Sequence, residues 1–363
     1  MPAHPVYENS STRKRSRMIL VAAKVPLATA LLQPAAEPVT RPDPWAIRYS
    51  PAAAALRIRD VVRRLRRFAA KPWREKVAAI SFRWLRVFPR IPVPVRLPFG
   101  GWWLARNDFV AGGLLHGGFE NTEWSFVQSY LRPGMTVLDI GAHHGFYTLL
   151  ASRKVGPEGK VLAIEPSPRE RERLRLHLRV NRCKNVQVEE SGVGENQGNA
   201  ELHLVLGRET GCNSLRIPAV CEPTERVPVH IERLDDMLRK HGIAKVDFVK
   251  IDVEGAELSA LKGASQLLGH RPRPVILAEV QDVRTKPWGY AARDIIQYLE
   301  GANYRWFRLL PGGGLQAMDT EAHEYDGNFV AVPEERIAAL RGTVTGQQEM
   351  VDVSDARINV IAT

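Results

Sequence analysis

Three stretches of this chain end an apolar run on an acid, and in two of them a glycine follows within two residues. The first is Met135-Thr136-Val137-Leu138-Asp139-Ile140-Gly141-Ala142-His143-His144-Gly145-Phe146-Tyr147. It reads as a buried strand, a tight glycine turn and the start of a helix. Its acid stands two places before the first glycine, where a dinucleotide fingerprint keeps the strand apolar up to G-x-G-x-x-G. A carboxylate there suits a ligand carrying an amino acid and a sulfonium, as S-adenosylmethionine does, rather than a pyrophosphate. The second stretch, Gly159–Pro166, ends in Glu165, 24 positions after Gly141. An acid at the tip of the next strand can accept both ribose hydroxyls of an adenosine.

The third stretch, Lys245–Glu257, carries Asp252, Glu254 and Glu257 around Gly255. Carboxyl ends of parallel strands form the ligand crevice of open α/β sheets. Three acids within six residues there repel one another unless a cation, a proton or a helix N-terminus is close. Glu257 reads as first-turn helix chemistry. The strand Pro274–Val280 adds Glu279 near its far end. Displacing a methyl group from a sulfonium needs in-line positioning, worth roughly 7–11 kcal/mol. A hydroxyl acceptor also needs a base, worth about 10²–10⁴-fold. Asp252 and Glu254 are the leading candidates for base or acceptor-orienting group, and Glu279 is the third. His143 and His144 are alternatives, since imidazole titrates near neutrality. Lys250 is expected to pair with an acid at the strand end. Asp252, Glu254 and Glu279 also offer hard oxygen ligands, but no histidine pair or cysteine cluster has metal-ligand spacing, so no metal is assigned.

The elements that must position these residues follow in order. Ser167 is a candidate N-cap, with Pro168 at the first helical position and Glu170 completing a capping box. The sequence then gives a third parallel strand, Val186–Glu189, and the small-residue turn Ser191-Gly192-Val193-Gly194. An antiparallel insertion comes next: Ala200–Leu206, the loop Gly211-Cys212-Asn213-Ser214-Leu215, and Val227–Ile231. A helix is expected over Ala256–Leu268. Tyr304–Leu309 and Asn328–Val332, joined through Gly312-Gly313-Gly314, complete a sheet of about seven strands. Ahead of the first glycine turn, Val95–Leu97 and Trp102–Ala105 read as a hairpin, and Glu120 and Glu123 precede a short helix.

The ordered set Asp139-Ile-Gly-Ala-His-His-Gly, Ala163-Ile-Glu-Pro, Leu234-Asp-Asp, Lys250-Ile-Asp-Val-Glu-Gly-Ala-Glu and Leu277-Ala-Glu-Val resembles the FkbM family of S-adenosylmethionine-dependent methyltransferases. The resemblance covers roughly residues 92 to 333. It implies a class I methyltransferase Rossmann-like α/β fold, a mostly parallel sheet with helices on both faces. It also implies O-methylation of a hydroxyl, commonly on a sugar, glycan or glycosylated metabolite. The cofactor residues implied are Asp139, Gly141, Ala142, His143, Gly145, Tyr147, Glu165, Pro166, Gly192, Val193 and Asp252, with the turn at Gly192 and Val193 letting backbone approach the adenine. Glu120 and Glu123 stand in a lead-in that lies beside the cofactor in the family. The Asn213-Ser214 loop is similar to a serine-rich family element bordering the acceptor pocket; an ordinary polar turn is the other reading. The family usually carries Asn where this chain has His143, which puts one cofactor hydrogen bond in question.

Composition adds an appendage to this domain. The whole chain has 51 Lys and Arg against 40 Asp and Glu. Residues 1–100 hold 20 of the former and 5 of the latter, leaving 31 against 35 for the remainder. The entire positive excess is therefore N-terminal, and the domain itself is slightly acidic, which disfavours nucleic acid at its catalytic face. Residues 1–50 lack periodicity and read as a disordered leader, with a faint signal-like run after Met18 broken by Lys24 and Pro26. Residues 51–90 read as a basic amphipathic helical extension. One stripe is Ile58, Val61, Val62, Leu65, Phe68 and Ala69, and a second is Trp73, Val77, Ile80 and Trp84. Both stripes are expected to pack on the domain or a second subunit; peripheral contact of residues 52–88 with an anionic membrane is the alternative. Pro89–Pro94 reads as a stiff linker, residues 91–335 as the methyltransferase domain and 336–363 as a tail. Three cysteines without a CxxC suit a reducing, cytoplasmic compartment, with membrane-peripheral placement as the variant. Three functional readings stand at this point: an O-methyltransferase of small-molecule or glycan acceptors, an RNA methyltransferase docking through its basic arm, and a non-catalytic protein keeping the cofactor fold.

Overall fold

The parallel strands form because their apolar residues are β-branched or aliphatic and face buried space on both sides. In the computed structural model, which describes residues 51–340, these strands are β3 (Thr136–Ile140), β4 (Lys160–Ile164), β5 (Val186–Glu189), β9 (Phe248–Ile251) and β10 (Val275–Gln281). The remaining strands are β1 (Val93–Arg96), β2 (Trp102–Ala105), β6 (Gly192–Val193), β7 (Gly198–Val205), β8 (Thr224–Glu232), β11 (Tyr304–Leu310), β12 (Gly314–Ala317) and β13 (Asp326–Pro333). The main sheet has eight strands in the order β12-β11-β13-β10-β9-β3-β4-β5. β5, β4, β3, β9 and β10 run parallel; β13, β11 and β12 pair antiparallel. The eight strands agree with the expected sheet of about seven. The triple-glycine turn does not lead to Asn328–Val332 but closes a hairpin between β11 and β12, with Gly312 and Gly313 at positive φ.

Alternation along each strand splits the core in two. Val137, Val161, Phe248, Val275, Leu277 and Val330 face the helices Asn121–Tyr130 and Phe146–Val155. Leu138, Leu162, Val249, Ile276 and Ala331 face the helices Leu234–Lys240, Glu257–Lys262 and Ala292–Gly301. The helix expected over Ala256–Leu268 is two short ones, Glu257–Lys262 and Ser265–Gly269. Asp235 takes amide bonds from Gln266 (2.9 Å) and Leu267 (3.1 Å) at the second of these, so the Leu-Asp-Asp motif serves helix capping. The insertion forms a separate sheet, β6-β8-β7.

The helix Pro168–Val180 starts as its sequence dictates, with the Ser167 hydroxyl accepting from the Glu170 amide and Pro168 in its first turn. The β1–β2 hairpin is fastened to the same helix. Asn181 accepts from the Trp102 amide (2.7 Å) and donates to the Trp102 carbonyl (2.7 Å). His177 accepts at Nε2 from the Leu104 amide (3.1 Å) and donates from Nδ1 to the His144 carbonyl (2.7 Å). Only the neutral ring can do both, and burial pushes its pKa down to about 4.

The described chain divides into two compact units at Arg67/Phe68. That replaces the expected boundary at residue 90: the helix Trp73–Val87 belongs to the larger unit, and Val93 and Pro94 of the presumed linker are in β1, at an edge where a proline is tolerated. The expected tail start at 336 falls inside the helix Glu334–Leu340, whose Leu340 is buried. The leader 1–50 and residues 341–363 lie outside the described residues. The helix Pro51–Ala70 is continuous and leaves Val61, Val62 and Leu65 exposed.

Trp103 is fully buried, stacks on His177 at 4.1 Å and leaves its Nε1 without a partner. Trp103→Ala should cost roughly 3–5 kcal/mol. Trp103→Phe should cost much less, because no hydrogen bond is lost. Urea unfolding followed by circular dichroism checks the order; equal losses would contradict it.

Candidate functional site

The carboxyl ends of β3, β9 and β10 open into one cavity of about 330 Å³. The glycine turn after β3 forms its floor. Gly141 has φ +80, and a Cβ there would overlap the Asp252 carbonyl oxygen, so only glycine lets the two strand ends approach. His143 also lies in the left-handed region at φ 51, where Asn, Asp and His are the side chains that occur most readily. Among the expected site residues, Asp139, Gly141, Ala142, His143, Tyr147, Asp252, Glu254 and Glu279 line this cavity. Gly145, Glu165, Pro166, Gly192 and Val193 do not. Gly145, at φ 91, starts the helix Phe146–Val155. Gly192 stands beside Pro166.

Glu165 is at the end of β4, as expected, but its carboxylate faces the chain. Oε2 accepts from the His143 amide (2.7 Å) and Oε1 from the Ser167 amide (2.8 Å). Burial pushes its pKa up to about 8. A buried carboxylate takes the nearest amide donors, which turns Glu165 toward the glycine loop.

Six carboxylates line the cavity, Glu120, Asp139, Glu209, Asp252, Glu254 and Glu279, against two cations, Lys250 and Arg284. Lys250 is almost wholly buried and donates to Asp252 Oδ2 at 2.7 Å. Its ammonium stands 5.0 Å from the centre of the Tyr147 ring. The Tyr147 hydroxyl donates to Glu120 at 2.5 Å. Arg284 Nε lies 2.8 Å from Glu254 Oε2. These cations satisfy the requirement that the acid spacing imposed. The Glu257 carboxylate accepts from the Val253 (2.9 Å) and Gly255 (3.2 Å) amides at its helix start, as first-turn chemistry predicts.

The acids are driven apart in protonation. Burial alone would raise Asp252, but Lys250 holds it below its ordinary value. Burial and the Asp252 charge push Glu254 up to about 8. The same two causes raise Glu279 well above the carboxylate range, and its Oε2 has no hydrogen-bond partner. Burial raises Asp139, whose Oδ2 accepts from Thr148 (2.5 Å) while Oδ1 is unpartnered. His143 is pushed down to about 4 by burial, and its Nε2 stands 3.0 Å from Thr210 Oγ1. His144 is lowered well below neutrality by burial and by His143. Carboxylate oxygens of Asp252, Glu254 and Glu279 lie within 4.8 Å of one another, as a hard cation would need. Lys250 and Arg284 already neutralise two of the three.

Sequence reasoning missed the apolar wall of Trp103, Phe109, Val110, Phe119 and Phe146. Glu209, Gly211 and Cys212 reach the cavity from the insertion, the last two from the loop that the sequence offered as a border of the acceptor pocket. Ser214 ties that insertion down by donating to the Glu254 carbonyl (2.8 Å). Asn213 accepts from the Val205 amide (2.8 Å), a structural turn bond. Glu120 reaches the cavity; Glu123 instead lies 3.5 Å from Asn328 Nδ2. Arg284 had a signal that went unread, because clustered acids demand a cation and it follows β10 directly.

A mostly parallel sheet with an acid and glycine turn after its first strand defines the class I S-adenosylmethionine-dependent methyltransferase fold. Residues 139–306 match the family model of the methyltransferase FkbM domain. The chain is 27% identical over 143 residues to Methyltransferase 1 of Beauveria bassiana, covering 35% of this chain and 57% of that protein. It is 30% identical over 159 residues to Methyltransferase sdnD of Sordaria araneosa, covering 36% and 60%. Against the 31-O-demethyl-FK506 methyltransferase FkbM of Streptomyces tacrolimicus it is 29% identical over 182 residues, covering 42% and 68%. The chain thus spans less than two thirds of the first two relatives.

The protonation pattern fixes how the ligand-free protein responds to pH. Glu165 and Glu254 at about 8 and Glu257 at about 7 stay protonated when folded but ionise near 4.5 when unfolded. They weaken the fold as pH rises through that window. His143 and His177 at about 4 stay neutral when folded but protonate near 6.5 when unfolded, so they weaken it as pH falls from 6.5 to 4. Between 4.5 and 6.5 the two sets offset; above 6.5 only the acids act. Unfolding free energy should therefore decline from pH 6.5 to 8, by up to about 1.4 kcal/mol per pH unit for each group, and the melting temperature should fall with it. Glu254→Gln should flatten the decline; an unchanged slope would refute the raised Glu254 value.

Proposed function

We propose that the chain methylates a hydroxyl oxygen with S-adenosylmethionine, and that Glu254 is the base. The observation that carries this is the meeting of the Asp139–Gly141 turn and the Asp252–Glu254–Glu279 cluster in one cavity. The unpartnered Asp139 Oδ1 and the excess of acids fit a ligand bearing a sulfonium and an ammonium. Asp139, Gly141, Ala142 and His143 would hold it, and its methyl group is the electrophile it supplies. Glu165 would need to release one of its two amide bonds, or share that oxygen's second lone pair, to meet the ribose.

The chain's own groups divide the remaining work. A base is most effective when its pKa lies near the working pH. Glu254, at about 8, meets that condition; Asp252, pinned by Lys250, is too weak and serves to orient the acceptor hydroxyl. Glu279, held neutral, donates rather than accepts. The apolar wall of Trp103, Phe109 and Phe119 excludes water and receives the acceptor's carbon face. A sugar or glycosylated metabolite fits such a pairing of an apolar face and polar groups, and the Streptomyces relative, by its name, acts on an O-demethyl compound.

Calorimetry with S-adenosylhomocysteine, followed by methyl transfer from labelled cofactor to a set of hydroxyl-bearing glycosides, tests the reading. Asp139→Ala should abolish binding. Glu254→Gln should keep binding and lower kcat by about 10²–10⁴-fold. Tight binding by Asp139→Ala would remove the cofactor assignment, and full activity in Glu254→Gln would remove the base.

A further inference from the structure

The helix Trp73–Val87 shows two apolar faces, and the larger points outward. Ala78, Ser81 and Leu85 are buried, and Phe82 stacks on His116 at 5.2 Å. The stripe that the sequence pattern singled out is turned away from this contact. Trp73 is 75% exposed, Ile80 58%, Trp84 42% and Val87 61%, with Val77 also exposed. Of the two placements expected for Trp73, Val77, Ile80 and Trp84, on the domain or on a second subunit, the first is not the one adopted. The inward face is instead the one with Ala78, Ser81 and Leu85, and the Phe82 ring beside it lies against Gly112 of the helix Phe109–His116.

At about 100° per residue, Trp73, Val77, Ile80, Trp84 and Val87 fall within an arc of about 80°. Lys76 and Arg83 border that arc on one side. The helix's single acid, Glu75, sits on the far side and accepts from Lys71 at 3.1 Å. Phe88 and Ile91 extend the exposed apolar surface past the helix end, beside Arg86 and Arg90. The whole positive excess of the chain lies in its first hundred residues. Among the described residues no helix is long and apolar enough to cross a membrane, so this face suits a surface rather than a span.

We propose that the Trp73–Val87 face docks on an anionic lipid bilayer. Aliphatic and indole side chains enter the headgroup boundary, where tryptophan is favoured, and the bordering Lys76 and Arg83 reach anionic headgroups. A second copy of the chain is a poor occupant, because a two-fold contact would set these cations against themselves. Docking is independent of methyl transfer and needs no cofactor.

The full chain is tested by co-sedimentation with phosphatidylcholine vesicles, with and without one quarter phosphatidylglycerol. Binding should require the anionic lipid, weaken at high salt and blue-shift tryptophan emission. Trp73→Ala/Ile80→Ala, both at exposed positions, should lower the partition coefficient roughly tenfold with an unchanged circular dichroism spectrum. Lys76→Glu/Arg83→Glu should lower it while leaving any residual binding salt-independent. No binding by the folded chain would overturn the proposal. So would binding that the stripe variants leave intact, or a dimer dissociated by the same variants.

Discussion

The ammonium of Lys250 lies at the sheet's carboxyl edge among Asp252, Asp139 and Glu120, on β9 between β3 and β10. Those three carboxyl groups, with Glu254 and Glu279, crowd one largely buried space. One buried cation changes what each of them is. Its partner Asp252 stays ionised, and burial together with the charge kept on Asp252 pushes Glu254 and Glu279 toward their neutral forms. A single ion pair thereby separates chemically identical side chains into an anion, a group poised near neutrality and a donor. The Tyr147 ring below the ammonium and the Tyr147–Glu120 bond hold the cation from the other side.

The neutral histidines answer a different need. His177 joins the β1–β2 hairpin to the glycine loop with one ring, using one nitrogen as donor and the other as acceptor. His143 and His144 stack at 3.6 Å in that loop. Charging either ring would place a cation against its neighbour in a dry interior, so their neutrality follows from proximity as much as from burial.

Much of this was legible in the sequence. The runs Val137–Ile140, Val161–Ile164, Phe248–Ile251 and Val275–Val280 carry apolar residues on both faces, as a covered parallel sheet requires. Glycine at 141 and acids at strand ends mark the crevice because backbone approach and charge leave few residue types allowed. Pairings that arise only on folding were not legible. Nothing local shows that Glu165 will turn to the His143 and Ser167 amides, or that Phe109 and Phe119 will face Asp139. The amphipathic reading of Trp73–Val87 found the right stripe and left open which way it turns. A hydrophobic period reports that a face will leave water, and small residues such as Ala78 and Ser81 can supply the buried face with a weaker signal.

The cavity's two walls have largely separate origins along the chain. All of the lining charges but Glu120 come from residues 139–284, whereas Trp103, Phe109, Val110 and Phe119 precede the first parallel strand and fall outside the matched segment 139–306. Substitutions at those four apolar positions can reshape which molecules enter while every ionisable group keeps its charged neighbours. The arrangement makes selectivity and reactivity separately evolvable, so relatives alike through the motifs can diverge in what they accept by changes the motifs never register.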